Sequence, residues 1–383
     1  MPESAEAPLP LDGIKVVEFQ SLAPGPFASM ILSDFGADVV LVERPGGNPA
    51  GMQLGSPPIL SRGKRSVVLD LHRDEDRGVA LRLVEHADVL IEGYRPGVME
   101  RLGLGPDLLQ NSNPGLVYAR VTGWGQAGPY AQRMGHDINF VAVGGPLAQI
   151  GDKDPVPPSV FVGDLAGGSL MAVIGILLAL QARDRTGKGQ VVDAAIVDGA
   201  AHLMSAHLEL HHRQALLPRG DNVMEGRAPY SSAYQCADGR WYTIGAVEPT
   251  PYANLLAALE LHDEQPDLQD DRSRWPRTRR RIAQVFLKRT RDEWEQHFES
   301  WEVSGAPMLS IDELPDHPHT KARGLFPERN GRIEVRPSPL LSETPGRLNA
   351  WLAESGEHSA EIRQRLLTDP HRFPSKSSTK DEQ

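Results

Sequence analysis

The sequence predicts two domains, a doubly wound α/β domain followed by a smaller α+β domain. In the first half of the chain, short apolar strands alternate with helical stretches, which is the pattern of a parallel sheet covered by helices. After about residue 225 the pattern changes to a hairpin followed by helices. The length of 383 residues also exceeds the roughly 150 of one typical domain.

The expected domain boundaries follow from these changes in pattern. We assign residues 1–196 to a large Rossmann-like domain, 197–224 to a helical linker and 225–325 to the small domain. The segment 326–383 is rich in proline and is expected to return to the large domain. Its end, residues 370–383, is polar and is expected to be disordered.

A βαβ unit opens the large domain. Residues 14–19 and 39–43 have the apolar pattern of buried strands, and residues 26–35 between them have helical spacing. This order predicts parallel strands joined by a right-handed crossover. The pattern continues with strands over 67–71, 88–91 and 116–121 and a helix over 74–86.

A β-hairpin marks the small domain. Asp238-Gly239 separates two strand-like segments, 232–236 and 240–245, and Asp-Gly between such segments is a strong hairpin signal. A helix over about 200–215 precedes the hairpin. Further helices are predicted over 252–261, 275–288 and 292–299.

The composition argues against several classes of protein. The chain has 40 Lys and Arg against 51 Asp and Glu, a net charge of -11, which is unlike a nucleic-acid-binding domain. Its single cysteine, Cys236, excludes an internal disulfide framework. The longest apolar run, residues 170–180, is shorter than the roughly 20 residues that cross a bilayer. We therefore expect a cytoplasmic protein with no nucleic-acid or membrane partner.

Four ionisable side chains are candidate catalytic residues. His136 and Asp137 follow the Gly-rich loop 123–129, which comes after a predicted strand, and ligands of open α/β sheets bind where strands end. Asp164 opens an apolar helix, where it is either an ordinary N-cap or a base or nucleophile beside free helix amides. Glu248 follows a strand of the small domain and is either a solvated loop residue or a catalytic acid.

Two groups of basic residues are candidate ligand sites. Basic residues that lie between or after predicted strands form either a solvated face or a site for a polyanion such as a nucleotide. They are Arg62, Lys64, Arg65, Arg95 and Arg101. His207 and His211 have the spacing of metal ligands on a helix, but no third ligand is evident, so no metal site is predicted. The loop after the first strand carries Pro24-Gly25-Pro26 instead of G-x-G-x-x-G, which argues against NAD(P).

Several blocks of sequence resemble the family III CoA-transferases (CaiB/BaiF) and, within them, the α-methylacyl-CoA racemases. The blocks are residues 11–18, 32–40, 88–97 and 187–195, and the resemblance covers nearly the whole chain. The segment 135–139, Gly-His-Asp-Ile-Asn, is similar to the racemase motif. Transferase chemistry does not require this histidine, so its presence favours the racemase.

The resemblance implies an isomerase of lipid and fatty acid metabolism that interconverts (2R)- and (2S)-2-methylacyl-CoA by 1,1-proton transfer through an enolate. His136 and Asp164 are the implied acid and base on opposite faces of the substrate, with Asp137 in the same site and the enolate oxygen at the helix after Asp164. The resemblance also implies an interlocked homodimer, in which Glu248 from the second copy pairs with His136. No prosthetic group or metal is implied. The implied CoA contacts are Arg62, Lys64, Arg65, Tyr94, Arg95 and Arg101.

Two alternatives remain open from the sequence. A CoA-transferase would move CoA between carboxylic acids, with Asp164 forming a mixed anhydride with the acyl group. A catalytically silent CoA-binding homologue would keep the basic cluster without needing His136, Asp164 and Glu248 together.

Overall fold

The computed structural model describes residues 8–47, 58–349 and 354–375. The chain divides into two compact units. The first comprises residues 1–146, 159–205 and 327–383, and the second comprises 147–158 and 206–326. Each unit has its own hydrophobic core. Residues 376–383 of the predicted tail lie outside the described residues, whereas Phe373, within that tail, is buried in the core of the first unit, contrary to the expected disorder.

A six-stranded sheet forms the centre of the first unit. Its strands are β1 (Lys15–Phe19), β2 (Asp38–Glu43), β3 (Arg65–Val68), β4 (Val89–Glu92), β5 (Val117–Thr122) and β6 (Val191–Ala195). All neighbouring strands pair in parallel, in the order β3-β2-β1-β4-β5-β6. This is a doubly wound order, which confirms the predicted α/β class. The strand order reverses between β1 and β4, the place where such sheets bind ligands at their carboxyl ends.

Helices pack on this sheet because its central strands are apolar on both faces. Val16 and Val17 of β1 and Leu90 and Ile91 of β4 are fully buried, and strands covered on both faces need such continuous apolar runs. The helices of this unit are α1 (Pro24–Asp34), α2 (Asp74–Glu85), α3 (Val98–Arg101), α4 (Pro106–Ser112), α5 (Asp137–Gly144), α6 (Met171–Thr186) and α7 (Ile196–Leu203). The next helix, α8 (Ser205–His212), belongs from Ala206 on to the second unit. The single helix predicted over 200–215 is therefore two helices, α7 and α8.

The apolar helix α6 is longer than the sequence suggested. A 3₁₀ turn, Ser159–Phe161, and a π-helical segment, Val162–Leu170, run into α6 without a break, so the helical stretch is 28 residues long. By length and composition alone it could cross a membrane, but a core helix passes the same test. Ala172 and Ile176 of α6 are buried against the sheet, while 39% of the apolar stretch is buried in all. The apolar run 170–180 underestimated the length because the Gly-rich residues before it continue the helix.

The second unit contains the predicted hairpin. Strands β7 (Ser231–Gln235) and β8 (Trp241–Gly245) pair antiparallel, and β9 (Gly305–Pro307) extends the sheet. Its helices are α9 (Pro249–Ala258), α10 (Trp275–Phe286), α11 (Arg291–Phe298) and α12 (Pro318–Ala322). Aromatic rings fill its core, with Phe286 packed against Tyr234 and Trp294. The chain then adds a short hairpin, β10 (Glu328–Arg329) and β11 (Arg332–Ile333), and α13 (Ser359–Thr368), whose Ile362 and Leu366 are buried in the core of the first unit.

Candidate active site

A cavity of about 310 Å³ opens at the carboxyl ends of the first unit's strands. Its walls come from the loops after β1, β4 and β5 and from the start of α7, as expected for this sheet order. His136 and Asp164 both line it, so the structure brings these two candidates to one cavity. The other lining residues include Ser21, Leu22, Pro24, Tyr94, Arg95, Trp124, Gly135, Phe140 and Ile196.

His136 is the N-cap of α5, and the aromatic ring of Phe140 fixes its surroundings. The His136 backbone N–H donates to Asn139 Oδ1 at 3.0 Å, which closes the first turn of α5. Phe140 is buried against the backbone of Gly123 and Gly135: a Cβ at these glycines would lie only 2.0 Å and 2.6 Å from its ring. The two glycines therefore leave the space that lets Phe140 pack beneath the imidazole-bearing turn.

Asp164 lies inside the π-helical segment rather than at a helix start. The helix begins before it, at the turn Ser159–Phe161, so the predicted N-cap position is wrong. Burial raises the pKa of Asp164 to about 6, and the nearby Asp137 carboxylate adds to the rise. A carboxyl group with such a pKa exchanges protons readily near neutral pH.

Asp137 acts on Asp164 through the backbone. Its Oδ1 accepts the N–H of Asp164 at 2.7 Å, and it also accepts the N–H of Gly163. Burial raises the pKa of Asp137, although these two amides oppose the rise. Asp137 therefore takes up the amides of Gly163 and Asp164, and the enolate site at the helix after Asp164 stays a prediction. The first turn of α5, which directly follows the cavity-lining His136, is a second candidate for that oxygen.

Three predicted CoA contacts are buried in ion pairs with carboxylates. Arg62, Lys64 and Arg65 expose 4%, 1% and 3% of their surface. Lys64 Nζ lies 2.7 Å from Glu18 Oε2, and Arg65 Nη2 lies 2.9 Å from Asp38 Oδ1. Arg62 Nε donates to Asp34 Oδ1 at 2.9 Å. These cations hold α1 and the strands together, which differs from the ligand-binding role that we expected from the sequence.

A second cavity of the first unit, about 700 Å³, collects other basic residues. Tyr94 and Arg101, two of the predicted CoA contacts, line it together with Arg44 and His72, which the sequence analysis missed. Arg44 directly follows β2 and His72 follows β3, so the strand-end rule applied to Arg95 would have found both. Tyr94 lines both cavities, whereas Arg95 lines only the one with His136 and Asp164.

Glu248 belongs to the second unit. It is exposed and is the N-cap of α9, where its carbonyl oxygen accepts the N–H of Tyr252 at 3.1 Å. Its pairing with His136 stays a prediction. Within residues 8–47, 58–349 and 354–375, no three His, Cys, Asp or Glu side chains form a group that could hold a metal ion.

Comparisons with known proteins identify the family. An alpha-methylacyl-CoA racemase from Homo sapiens is 43% identical over 359 residues, covering 92% of each chain. A succinyl-CoA–D-citramalate CoA-transferase from Chloroflexus aurantiacus is 34% identical over 391 residues, covering 95% of this chain and 96% of the relative. The crystal structure of a CaiB/BaiF family protein from Brucella suis matches with a TM-score of 0.81 and 28% identity, covering 94% of this chain and 99% of that one. A family model described as CoA-transferase family III matches residues 11–359, and the chain belongs to this family.

Proposed function

We propose that the protein is an α-methylacyl-CoA racemase that interconverts (2R)- and (2S)-2-methylacyl-CoA. The observation that carries the proposal is the pairing of His136 with Asp164, an imidazole and a carboxyl group, in one cavity at the carboxyl ends of the strands. The racemase from Homo sapiens, at 43% identity over 92% of both chains, favours this activity over CoA transfer.

Proton transfer at the α-carbon needs one base and one acid. The base takes the α-proton, and the electron pair of the C–H bond moves into the thioester to form an enolate. The acid then returns a proton to the opposite face, so that the net change is inversion at one carbon. His136 and Asp164 supply the two groups, and the pKa of about 6 at Asp164 lets either form exist near neutral pH.

The enolate oxygen needs hydrogen-bond donors. We place it at the first turn of α5, because the amides of Asp137 and Ile138 precede the first bonded amide of the helix, that of Asn139, and the helix dipole there favours negative charge. Positioned donors of this kind act only as charge develops, which lowers the barrier rather than tightening substrate binding.

The cavity of about 700 Å³ is the proposed site of the nucleotide end of CoA. Arg44 and Arg101 supply positive charge for phosphates, and Tyr94 supplies an aromatic surface. Because Tyr94 lines both cavities, the thioester arm can run past it from the nucleotide to His136 and Asp164. Acyl-CoA is the substrate, and the mechanism requires no prosthetic group.

We also propose a cytoplasmic, interlocked homodimer in which Glu248 from the second copy pairs with His136. Apolar side chains exposed along the long helix support an interface between copies: Phe161, Leu170, Ile174, Leu177 and Leu178. The proposed domains are those drawn from the sequence, 1–196, 197–224, 225–325 and 326–383.

Exchange of the α-proton in deuterated water tests the proposal. The racemase takes deuterium into 2-methylacyl-CoA, and His136→Ala loses most of this exchange. Asp107→Asn, a change at an exposed residue in the first turn of α4, is the control and keeps it. If exchange is absent while CoA moves to a free carboxylic acid labelled with ¹⁸O, and ¹⁸O enters Asp164, the protein is a transferase. CoA binding with neither activity identifies a silent homologue.

A further inference from the structure

The last residue of β4, Glu92, has a buried carboxylate side chain. Glu92 is fully buried, and its Oε2 accepts the N–H of Tyr94 at 2.6 Å. Its other oxygen, Oε1, accepts the Nε–H of Arg120 at 2.9 Å. Arg120 is the residue directly opposite Glu92 in the parallel pairing of β4 with β5, so the two side chains lie on the same face of the sheet.

Arg120 forms a second ion pair, with Glu100 of α3. Its Nη1 lies 2.9 Å from Glu100 Oε1, while Arg120 itself is only 5% exposed. Gly105 makes room for this contact, because a Cβ there would lie 2.8 Å from Glu100 Cγ. The three side chains therefore connect β4, β5 and α3.

Residues 93–101, which the ion pairs of Glu92, Arg120 and Glu100 hold at both ends, line both cavities. Glu92 fixes the beginning of this segment at Tyr94, and Glu100 fixes its end one residue before Arg101. Tyr94, Val98 and Arg101 line the larger cavity, and Tyr94 and Arg95 line the cavity with His136. Residues 93–101 therefore run from the cavity with His136 to the larger cavity.

A gain in stability alone does not explain these buried ion pairs well. The desolvation of buried charges offsets much of their attraction, so apolar residues of similar volume often stabilise a fold as well or better. Charged groups that hold a fixed geometry do benefit a binding site, because a displacement of about 1 Å can cost up to about 10²-fold in rate.

We propose that Glu92, Arg120 and Glu100 are positioning residues that hold the segment 93–101, so that it binds the nucleotide end of CoA while the acyl carbon reaches His136 and Asp164. The proposal rests on the proposed function for the identity of the ligand. It assigns these three side chains no contact with the reacting atoms.

Two variants weaken the ion pairs of Glu92, Arg120 and Glu100 without changing a side chain that lines a cavity. Glu100→Gln weakens the outer ion pair, at a side chain that is 43% exposed, and Gly105→Ala displaces Glu100. Asp88→Asn is the matched control: Asp88 pairs with Arg183 at 2.9 Å and precedes the opposite, amino end of β4. The dissociation constant of CoA is measured by calorimetry, and KM and kcat are measured for 2-methylacyl-CoA and for the same acyl group on pantetheine, which lacks the nucleotide.

The expected result is a rise of about tenfold in the CoA dissociation constant and in KM for acyl-CoA in both variants. The pantetheine thioester is unaffected, and Asp88→Asn behaves as the unchanged protein. Equal losses with both thioesters indicate a merely structural role and overturn the proposal, as does an unchanged CoA dissociation constant. If the unchanged protein binds CoA but exchanges no α-proton, the proposed function fails, while the CoA measurements still decide this inference.

Discussion

The carboxylate of Asp137 accepts a hydrogen bond from the backbone N–H of Asp164 at 2.7 Å, which joins the first turn of α5 to the π-helical segment. His136 directly precedes Asp137, so one contact fixes the spacing between the two proposed acid–base groups. The same carboxylate raises the pKa of Asp164 by its charge. Asp137 thus affects both the position and the proton affinity of Asp164.

Substitution of Asp137 separates these two effects. Asp137→Asn keeps an acceptor oxygen but removes the charge, so the pKa of Asp164 falls and kcat changes little at neutral pH. Asp137→Ala removes the acceptor, and kcat falls by about 10–100-fold because Asp164 loses its anchor. Deuterium exchange measures both, with Asp107→Asn as the control. Equal kcat values for the Ala and Asn variants would contradict the anchoring role.

The exchange rate should fall in acid with a midpoint near the pKa of Asp164. Proton transfer needs one free base, so binding of a further proton to the acid–base pair in acid leaves none. Because burial and Asp137 raise the pKa of Asp164 to about 6, kcat/KM declines as the pH falls below about 6. The decline is the same from either epimer, since the ratio of the two kcat/KM values equals the equilibrium constant at every pH. In Asp137→Asn the midpoint moves to lower pH; a midpoint that does not move excludes Asp164 as its source.

Asp164→Asn should stabilise the protein while abolishing exchange. The folded-state pKa of Asp164 lies above its value of 3.8 in the unfolded chain, so the folded state binds the proton more tightly. Its contribution to stability therefore falls as the pH rises from about 4 to about 6. Removal of the charge raises the free energy of unfolding at pH 7 by roughly 1–2 kcal/mol, allowing for partial solvent screening. Urea unfolding at pH 7 and pH 4 checks this, and an equal gain at both pH values would refute the cause.

Gly135→Ala should impair catalysis more than folding. The new methyl group would lie 2.6 Å from the Phe140 ring and 3.0 Å from Trp124 Nε1, so the turn that carries His136 must shift. We expect kcat to fall at least about tenfold. Gly78→Ala in α2 is the control, because its Cβ meets only the end of the Arg82 side chain at 3.7 Å. That change stabilises the protein by roughly 0.5–1 kcal/mol and leaves kcat unchanged; equal activities of the two variants would rule out the role of the Phe140 packing.

Lys64→Met should lower the stability of the protein, whereas Arg101→Met should weaken CoA binding. Lys64 is buried against Glu18, and removal of one member of a buried pair costs roughly 3–5 kcal/mol of stability. Arg101 lines the cavity of about 700 Å³, so its loss weakens CoA binding and leaves thermal unfolding nearly unchanged. Thermal unfolding with and without CoA measures both. A normal unfolding temperature for Lys64→Met with weakened CoA binding would restore Lys64 as a CoA contact.

The α/β class and most of the strands and helices followed from the sequence because they depend on local periodicity. The predicted strand 39–43 and helix 74–86 correspond to Asp38–Glu43 and Asp74–Glu85, since apolar spacing and turn residues lie within a few positions of each other. The family was also predicted from the sequence, because each block that resembles it is a continuous stretch of residues.

The roles of the basic residues were decided only by the tertiary structure. Arg62 and Arg44 look alike in sequence, yet Arg62 is buried against Asp34, 28 residues away, and Arg44 lines a cavity. A charge becomes structural when the fold brings a carboxylate to it out of water, and no local pattern carries that information. The position of Asp164 depends in the same way on Asp137, which lies 27 residues earlier and meets it only because α5 and the π-helical segment pack together. The sequence thus determined which ionisable groups are present, and the folded chain determined which of them face the cavities.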